Sequence, residues 1–150
     1  SDLYFLGVDC SIFLEVIKSL DDIFVDTVRA HGDFTPWNIC ISGNRISVFD
    51  WELSIEEAPI FFDFFHYIYS LEILVRRTEC REIIRRIEVF RSRYFNDFSR
   101  QNFKIYHLMY LYIHSYRYII SLNQSGEKPV AQAEWQINTW CEATRALLSE

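Results

Sequence analysis

Apolar positions recur at helical spacing through most of this chain and alternate only briefly. Near the N-terminus Ile12, Leu14, Val16, Ile17 and Leu20 follow Ser11, a residue type that caps helices, so the spacing predicts a helix over 11–20. Residues 23–28 form a short, partly β-branched run that leads into His31-Gly32-Asp33. Ile39-Cys40-Ile41 and Ile46-Ser47-Val48-Phe49 are β-like runs, and Ser42-Gly43-Asn44-Arg45 between them reads as a turn, which predicts a hairpin. Pro59 suits the first turn of a helix over 59–75. Cys80, Ile83, Ile84, Ile87, Phe90, Tyr94 and Phe98 keep the period of a second helix, with Glu82 and Arg86 four apart on its polar side. Ile105, Leu108, Met109, Tyr112, Tyr116, Ile119 and Ile120 share one face of a third. Residues 123–129 read as a loop. A last helix over 129–148 turns Ala133, Ile137, Trp140 and Leu147 inward. The expected fold class is mainly α (α+β), a helical bundle with one small β-hairpin.

Composition narrows the function classes. The chain has 150 residues, half of them apolar and 17% aromatic, enough for a packed core in a single domain. Acidic residues exceed basic ones by 21 to 15, a net charge of −6, so no nucleic-acid partner is expected. The arginines at 76, 77, 81, 85, 86, 91 and 93 are interleaved with Glu79, Glu82 and Glu88, the pattern of a solvated, ion-paired face. Cys10, Cys40, Cys80 and Cys141 lie far apart in sequence, so they form no metal or redox knuckle. They read as small buried apolar residues in a reducing, cytoplasmic compartment. The apolar stretch 59–71 is too short to span a membrane and carries Asp63 and His66. The longer stretch 103–122 is interrupted by Lys104, His107, His114 and Arg117, so no membrane span is expected.

The chemistry concentrates in His31-Gly32-Asp33-Phe34-Thr35-Pro36-Trp37-Asn38 and Phe49-Asp50-Trp51-Glu52. Phosphoryl transfer from a nucleotide needs a carboxylate that takes the proton of the attacking hydroxyl. It also needs oxygen ligands that hold Mg²⁺ against the phosphates. A loop with Asp followed five residues later by Asn offers one group of each kind, and a second Asp at the end of a hairpin can approach the same metal. Taken singly, Asp33 reads as an N-cap and Asn38 as a turn residue. HGDxxxxN alone arises by chance in about one in several thousand chains of this composition, and Asp50 after a hairpin makes coincidence rarer still.

HGDFTPWN with FDWE resembles the catalytic loop and metal-binding motif of the aminoglycoside phosphotransferase and choline kinase superfamily, kinase-like enzymes that phosphorylate small molecules. The resemblance implies a protein-kinase-like C-terminal lobe over residues 1–150. It implies Asp33 as catalytic base, Asn38 and Asp50 as Mg²⁺ ligands, His31 as the structural histidine of the loop, and Gly32 as its turn residue. Glu52 matches the acidic residue that follows the metal Asp by two. Asp63 resembles the helix residue that braces the loop. The implied activity is ATP- or GTP-dependent phosphorylation of a hydroxyl on a small molecule.

Only residues 51–58 separate Asp50 from the expected helix start, too few for a peptide-docking segment, so a small acceptor is expected. Glu52, Glu56 and Glu57 suit a cationic one. The nucleotide-clamping lobe of such kinases is not recognisable. The glycines at 7, 32, 43 and 126 are scattered, and Lys18, Lys104 and Lys128 do not sit on a strand ahead of His31. The chain therefore reads as one lobe of a longer protein, with little Mg²⁺-ATP affinity by itself and a tendency to self-associate through the face that lobe would cover. Two alternatives stand beside this reading. One is a non-catalytic binding module derived from a kinase. The other is a metallophosphoesterase with His31 and Asp33 as ligands, for which His66, His107 and His114 have no ligand-like spacing and read as core-edge or surface residues.

Overall fold

A computed structural model describes residues 4–126 and 131–150. It is mainly helical with three two-stranded antiparallel sheets among the described residues. The expected hairpin is therefore one of three strand pairs. Residues 24–107 make one compact unit, and residues 4–23 with 108–150 make another.

In the first unit, strand β3 (Thr27–Ala30) pairs with β6 (Ile55–Pro59), with Thr27 opposite Pro59 and Ala30 opposite Ile55 across a bulge. The intervening hairpin joins β4 (Ile39–Ser42) to β5 (Arg45–Val48), with Ile39 opposite Val48. Gly43 takes the positive φ (59°) that so tight a connection demands. Pro59 is thus the end of a strand and not the first turn of a helix. Lacking an N–H, it fits a strand terminus equally well, and the long-range pairing with Thr27 decides between the two.

Helix α2 (Phe62–Ser70) follows, preceded by Phe61 in the left-handed region (φ 68°). That conformation is strained for a side chain with a Cβ. Phe61 holds it within a cluster of rings, 4.9 Å from Phe95, 4.8 Å from Phe98 and 5.1 Å from Phe103. One π-helical turn (Leu71–Val75) continues α2. Helix α3 (Cys80–Tyr94) comes next, four residues shorter than the spacing out to Phe98 predicts. Helix α4 (Arg100–Ser125) begins in this unit. Phe62, Phe65, Ile73, Ile83, Ile87 and Phe103 are buried here, each worth about 1.5–3 kcal/mol relative to exposure.

Glu72 and His107 are among the polar residues buried with that core. Glu72 accepts hydrogen bonds from Arg76, Thr78 and Arg86. Burial opposes its ionisation most strongly, but the three donors together outweigh it and hold its carboxyl below the ordinary value. Glu82 also binds Arg85 and Arg86, and Glu88 binds Arg91 and Arg100, so the arginine-rich face is laced with acidic partners as expected. His107 shares a 2.8 Å hydrogen bond with the Tyr69 hydroxyl and stacks on Phe65. Desolvation pushes its pKa down to about 3. His66 and His107 are both buried, not at the core edge or surface.

In the second unit, β1 (Tyr4–Phe5) and β2 (Val8–Asp9) form a small hairpin. The Ser11 side chain does not cap α1 (Ile12–Ser19); the Asp9 carboxylate accepts the Ser11 N–H instead, at 2.9 Å. Helix α1 buries Phe13 and Val16 and leaves Leu14 and Ile17 exposed. It packs against α5 (Ala131–Leu148), which buries Ala133, Ile137, Trp140 and Leu147 as its spacing predicts. Helix α4 continues through Ser125, so Asn123 to Ser125 are helical. Pro129, the expected start of the last helix, lies outside the described residues. The Cys10 thiol donates to the Val8 carbonyl at 3.6 Å and is electrostatically linked to the Cys141 thiol. The neighbouring Cys10 thiol and burial raise the Cys141 pKa, and Cys141 lowers that of Cys10. All four cysteines are free, but Cys40 is exposed and Cys80 half-buried, because the isolated hairpin and the first turn of α3 leave them in contact with water. No helix among the described residues is long and apolar enough to cross a membrane.

Candidate functional site

Strand β3 ends at Ala30 and delivers the loop His31–Asn38, while β6, its partner, leads into α2. The sheet therefore brings the loop against the first turn of α2. Asp63 on that turn accepts the His31 N–H at 2.7 Å through Oδ2 and the Gly32 N–H at 3.0 Å through Oδ1. Gly32 has φ 84°, a conformation open to glycine and costly for other residues. One carboxylate thus satisfies two consecutive backbone donors that a tight turn would otherwise leave unpaired.

His31 is buried and works inside the loop. Its Nδ1 accepts the Asp33 N–H at 3.3 Å, so its proton lies on Nε2, which donates to the Phe49 carbonyl at 2.7 Å. This bond ties the loop to the residue just before Asp50. Trp51 packs edge-on against the His31 ring at 4.6 Å, and its indole N–H donates to the Val48 carbonyl.

Asp33 is the focus of the arrangement. Its side chain is 31% exposed, so a ligand can reach the carboxylate. The His66 Nε2–H donates to Oδ1 at 3.0 Å. The Asn38 amide N–H₂ donates to Oδ2 at 3.1 Å and to the Asp33 backbone carbonyl at 3.0 Å. The bond from His66 is the largest influence on Asp33. With the charge attraction of that ring and the Asn38 bond, it outweighs burial and holds the carboxyl below its ordinary value.

Asn38 closes a single 3₁₀ turn (Pro36–Asn38) and leads directly into β4. The Phe49 N–H donates to the Asn38 carbonyl at 2.9 Å. With Ile39 opposite Val48, this places Asn38 beside Phe49 at the open end of the hairpin, one residue from Asp50. Asp50 is exposed and has φ 62°, a strained conformation of the kind that collects at functional sites. Among the described residues, no group of three His, Cys, Asp or Glu side chains could hold a metal ion. A nucleotide-borne Mg²⁺ asks for less, one or two protein oxygens with phosphates and water completing the shell. Asn38 spends its amide nitrogen on Asp33, which turns its side-chain oxygen away from that residue. The Asn38 side-chain oxygen and the exposed Asp50 carboxylate are the two oxygen donors at this end of the hairpin that could be offered to such an ion.

The loop, hairpin and helix thus bring together His31, Gly32, Asp33, Asn38 and Asp63, with Asp50 adjacent. Glu52 is not drawn in; it sits exposed in the turn that the Ser54 N–H closes on the Trp51 carbonyl. His66, which the sequence reading places at a core edge or surface, is the further residue that the structure brings to Asp33. The signal was its position three residues after Asp63, which puts both on one helix face. Compared with family models, curated proteins and solved structures, the chain finds no match in any of the three.

Proposed function

We propose that this chain is the C-terminal lobe of a kinase-like phosphotransferase that moves the γ-phosphoryl group of ATP or GTP to a hydroxyl of a small molecule. The observation that carries this reading is the double mounting of the loop. Asp63 holds the backbone of His31 and Gly32 while Asn38 holds the Asp33 carboxylate. The residues that the resemblance implies as base, loop ligand and brace, Asp33, Asn38 and Asp63, share one hydrogen-bonded junction of loop and helix, which supports this reading.

In this reading the Asp33 carboxylate accepts the proton of the acceptor hydroxyl as its oxygen bonds to the γ-phosphorus. The bond from that phosphorus to the bridging oxygen breaks, and the nucleoside diphosphate leaves. Ionisation of Asp33 at neutral pH, favoured by His66 and Asn38, keeps it ready to accept. Mg²⁺ held through the Asn38 side-chain oxygen and the Asp50 carboxylate would neutralise charge on the phosphates. Residues 51–61 are occupied by a turn, strand β6 and the entry to α2, which favours a small acceptor over a docked peptide. The exposed carboxylates of Glu52, Glu56 and Glu57 favour a cationic one. The apolar side chains of Ile41 and Ile46, paired across the hairpin and about 70% exposed, support an apolar face that a further lobe or a second copy would cover. Four free thiols suit a cytoplasmic setting.

Calorimetry with Mg²⁺-ATP on the protein expressed from its complete reading frame tests the assignment of the metal ligands. Asp50→Asn is expected to abolish the Mg²⁺-dependent part of nucleotide binding, and Asp33→Asn to leave it within about threefold, because a base contributes to transfer and not to ground-state binding. Equal Mg²⁺ dependence in Asp50→Asn and wild type would remove Asp50 from the site.

A further inference from the structure

Helix α2 meets the loop at two points, and only one of them is a backbone brace. Asp63 fixes where the loop runs. His66, one turn further along the same helix face, reaches the side chain of Asp33 itself, Nε2 to Oδ1 at 3.0 Å. His66 is buried and its ring stacks parallel to Phe62, so packing limits the directions in which it can donate. Asp33 has a short side chain with two rotatable bonds. One donor, Asn38 from the same loop, holds Oδ2; a second, from a different element, holds Oδ1. A carboxylate held at both oxygens cannot rotate freely about its terminal torsion, and each oxygen still has a second lone pair that can face a hydroxyl.

We propose that His66 is the positioning residue for Asp33: it sets the rotamer of the carboxylate that receives the acceptor's proton. This rests on the phosphotransferase reading above. The gain is geometric, because proton transfer in the transition state is efficient only within hydrogen-bond reach, and misplacement by about an ångström can cost on the order of a hundredfold in rate. Asp63 and His66 together make α2 a rigid mount for both the backbone and the side chain of the reacting residue, the support a site needs to hold its geometry.

The test uses the protein expressed from its complete reading frame, Mg²⁺-ATP as the probe and water as the acceptor, with ADP release as the readout. His66→Phe keeps the ring volume and removes the donor. Its kcat is expected to fall about tenfold to a hundredfold, with KM for Mg²⁺-ATP within about twofold. His66→Gln places an amide N–H near the position of Nε2 and is expected to recover most of the loss. In the chain of 150 residues, a His66 Nε2 proton protected from exchange is expected in the NMR spectrum and should vanish in Asp33→Asn. A wild-type rate in His66→Phe beside a crippled Asp33→Asn would overturn the role of His66 alone. So would equal loss in the Gln and Phe variants, or a His66 signal indifferent to Asp33→Asn. No ADP release from the wild type, or equal release from wild type and Asp33→Asn, would overturn the phosphotransferase reading and not merely the role of His66.

Discussion

Asp63 on α2 accepts the backbone N–H of Gly32, 31 residues earlier in the chain, at 3.0 Å, and with its other oxygen takes the N–H of His31. The helix thereby dictates the path of a loop that would otherwise be held by its own turn residues. Hydrogen bonds to a charged acceptor are worth about 1.5–3 kcal/mol, and leaving buried donors unpaired costs a similar amount. Asp63→Ala is expected to destabilise the protein by about 2–4 kcal/mol in urea denaturation. Amide exchange at His31 and Gly32 should accelerate more than exchange in the hairpin β4–β5. Unchanged protection at both amides would show that the loop is held by other means.

His107 gives the chain an acid-sensitive core. Its folded pKa of about 3 lies below the ordinary 6.5 because burial disfavours the imidazolium. The unfolded chain therefore binds a proton that the native state refuses. The stability from the neutral ring is complete above about pH 6.5 and drains away as pH falls towards 3, at up to about 1.4 kcal/mol per pH unit. His107→Gln should flatten that segment of the stability–pH curve while weakening the protein at neutral pH through loss of the stack on Phe65. A curve of unchanged slope in the variant would assign the acid sensitivity elsewhere.

Glu72 is buried on the π-helical turn with Arg86 of α3 and Arg76 at its carboxylate. Arg86→Ala removes one of two cations from a buried charge, and is expected to cost about 2–4 kcal/mol. Glu72→Leu with Arg86→Ala together should cost less than Arg86→Ala alone, since no buried charge is then left underpaired. A double-mutant cycle read by urea denaturation measures the difference. An additive cycle would mean that Thr78 and Arg76 suffice to hold Glu72.

Thiol labelling separates the four cysteines by their surroundings. Exposed Cys40 should react with a maleimide first and Cys80 later. Cys10 and Cys141 are buried, and should react only on unfolding. Rapid labelling of Cys141 in the native protein would contradict the packing of α5.

Much of this was legible in the sequence, for physical reasons. The hairpin announced itself through a local turn flanked by β-branched residues, and α5 through an uninterrupted apolar period. The resemblance of the motif implied that Asp33, Asn38 and Asp63 lie close together, and the loop's two mounts do bring those residues together. What was hidden was non-local. Thr27 and Pro59 are partners across 32 positions, and nothing near Pro59 distinguishes a strand end from a helix start. Burial of His66 and His107 was hidden for a related cause. A histidine on an aromatic helix face looks like a core-edge residue until a distant Asp33 or a neighbouring Tyr69 supplies its partner. Ser11 offered a hydroxyl for capping, but Asp9 bonds its backbone first.

The central claim is that Asp33 takes the acceptor's proton while γ-phosphate moves. The most direct measurement is transfer of radiolabelled γ-phosphate from Mg²⁺-ATP or Mg²⁺-GTP by the protein from its complete reading frame, over a panel of amino alcohols, aminoglycosides and sugars, for wild type and Asp33→Asn. A labelled phosphomonoester from the wild type is expected for at least one acceptor, with cationic acceptors favoured. Asp33→Asn should reduce its formation by about a hundredfold or more while nucleotide binding persists. Transfer at equal rates by both proteins, or labelled phosphate on none of the acceptors, would contradict it.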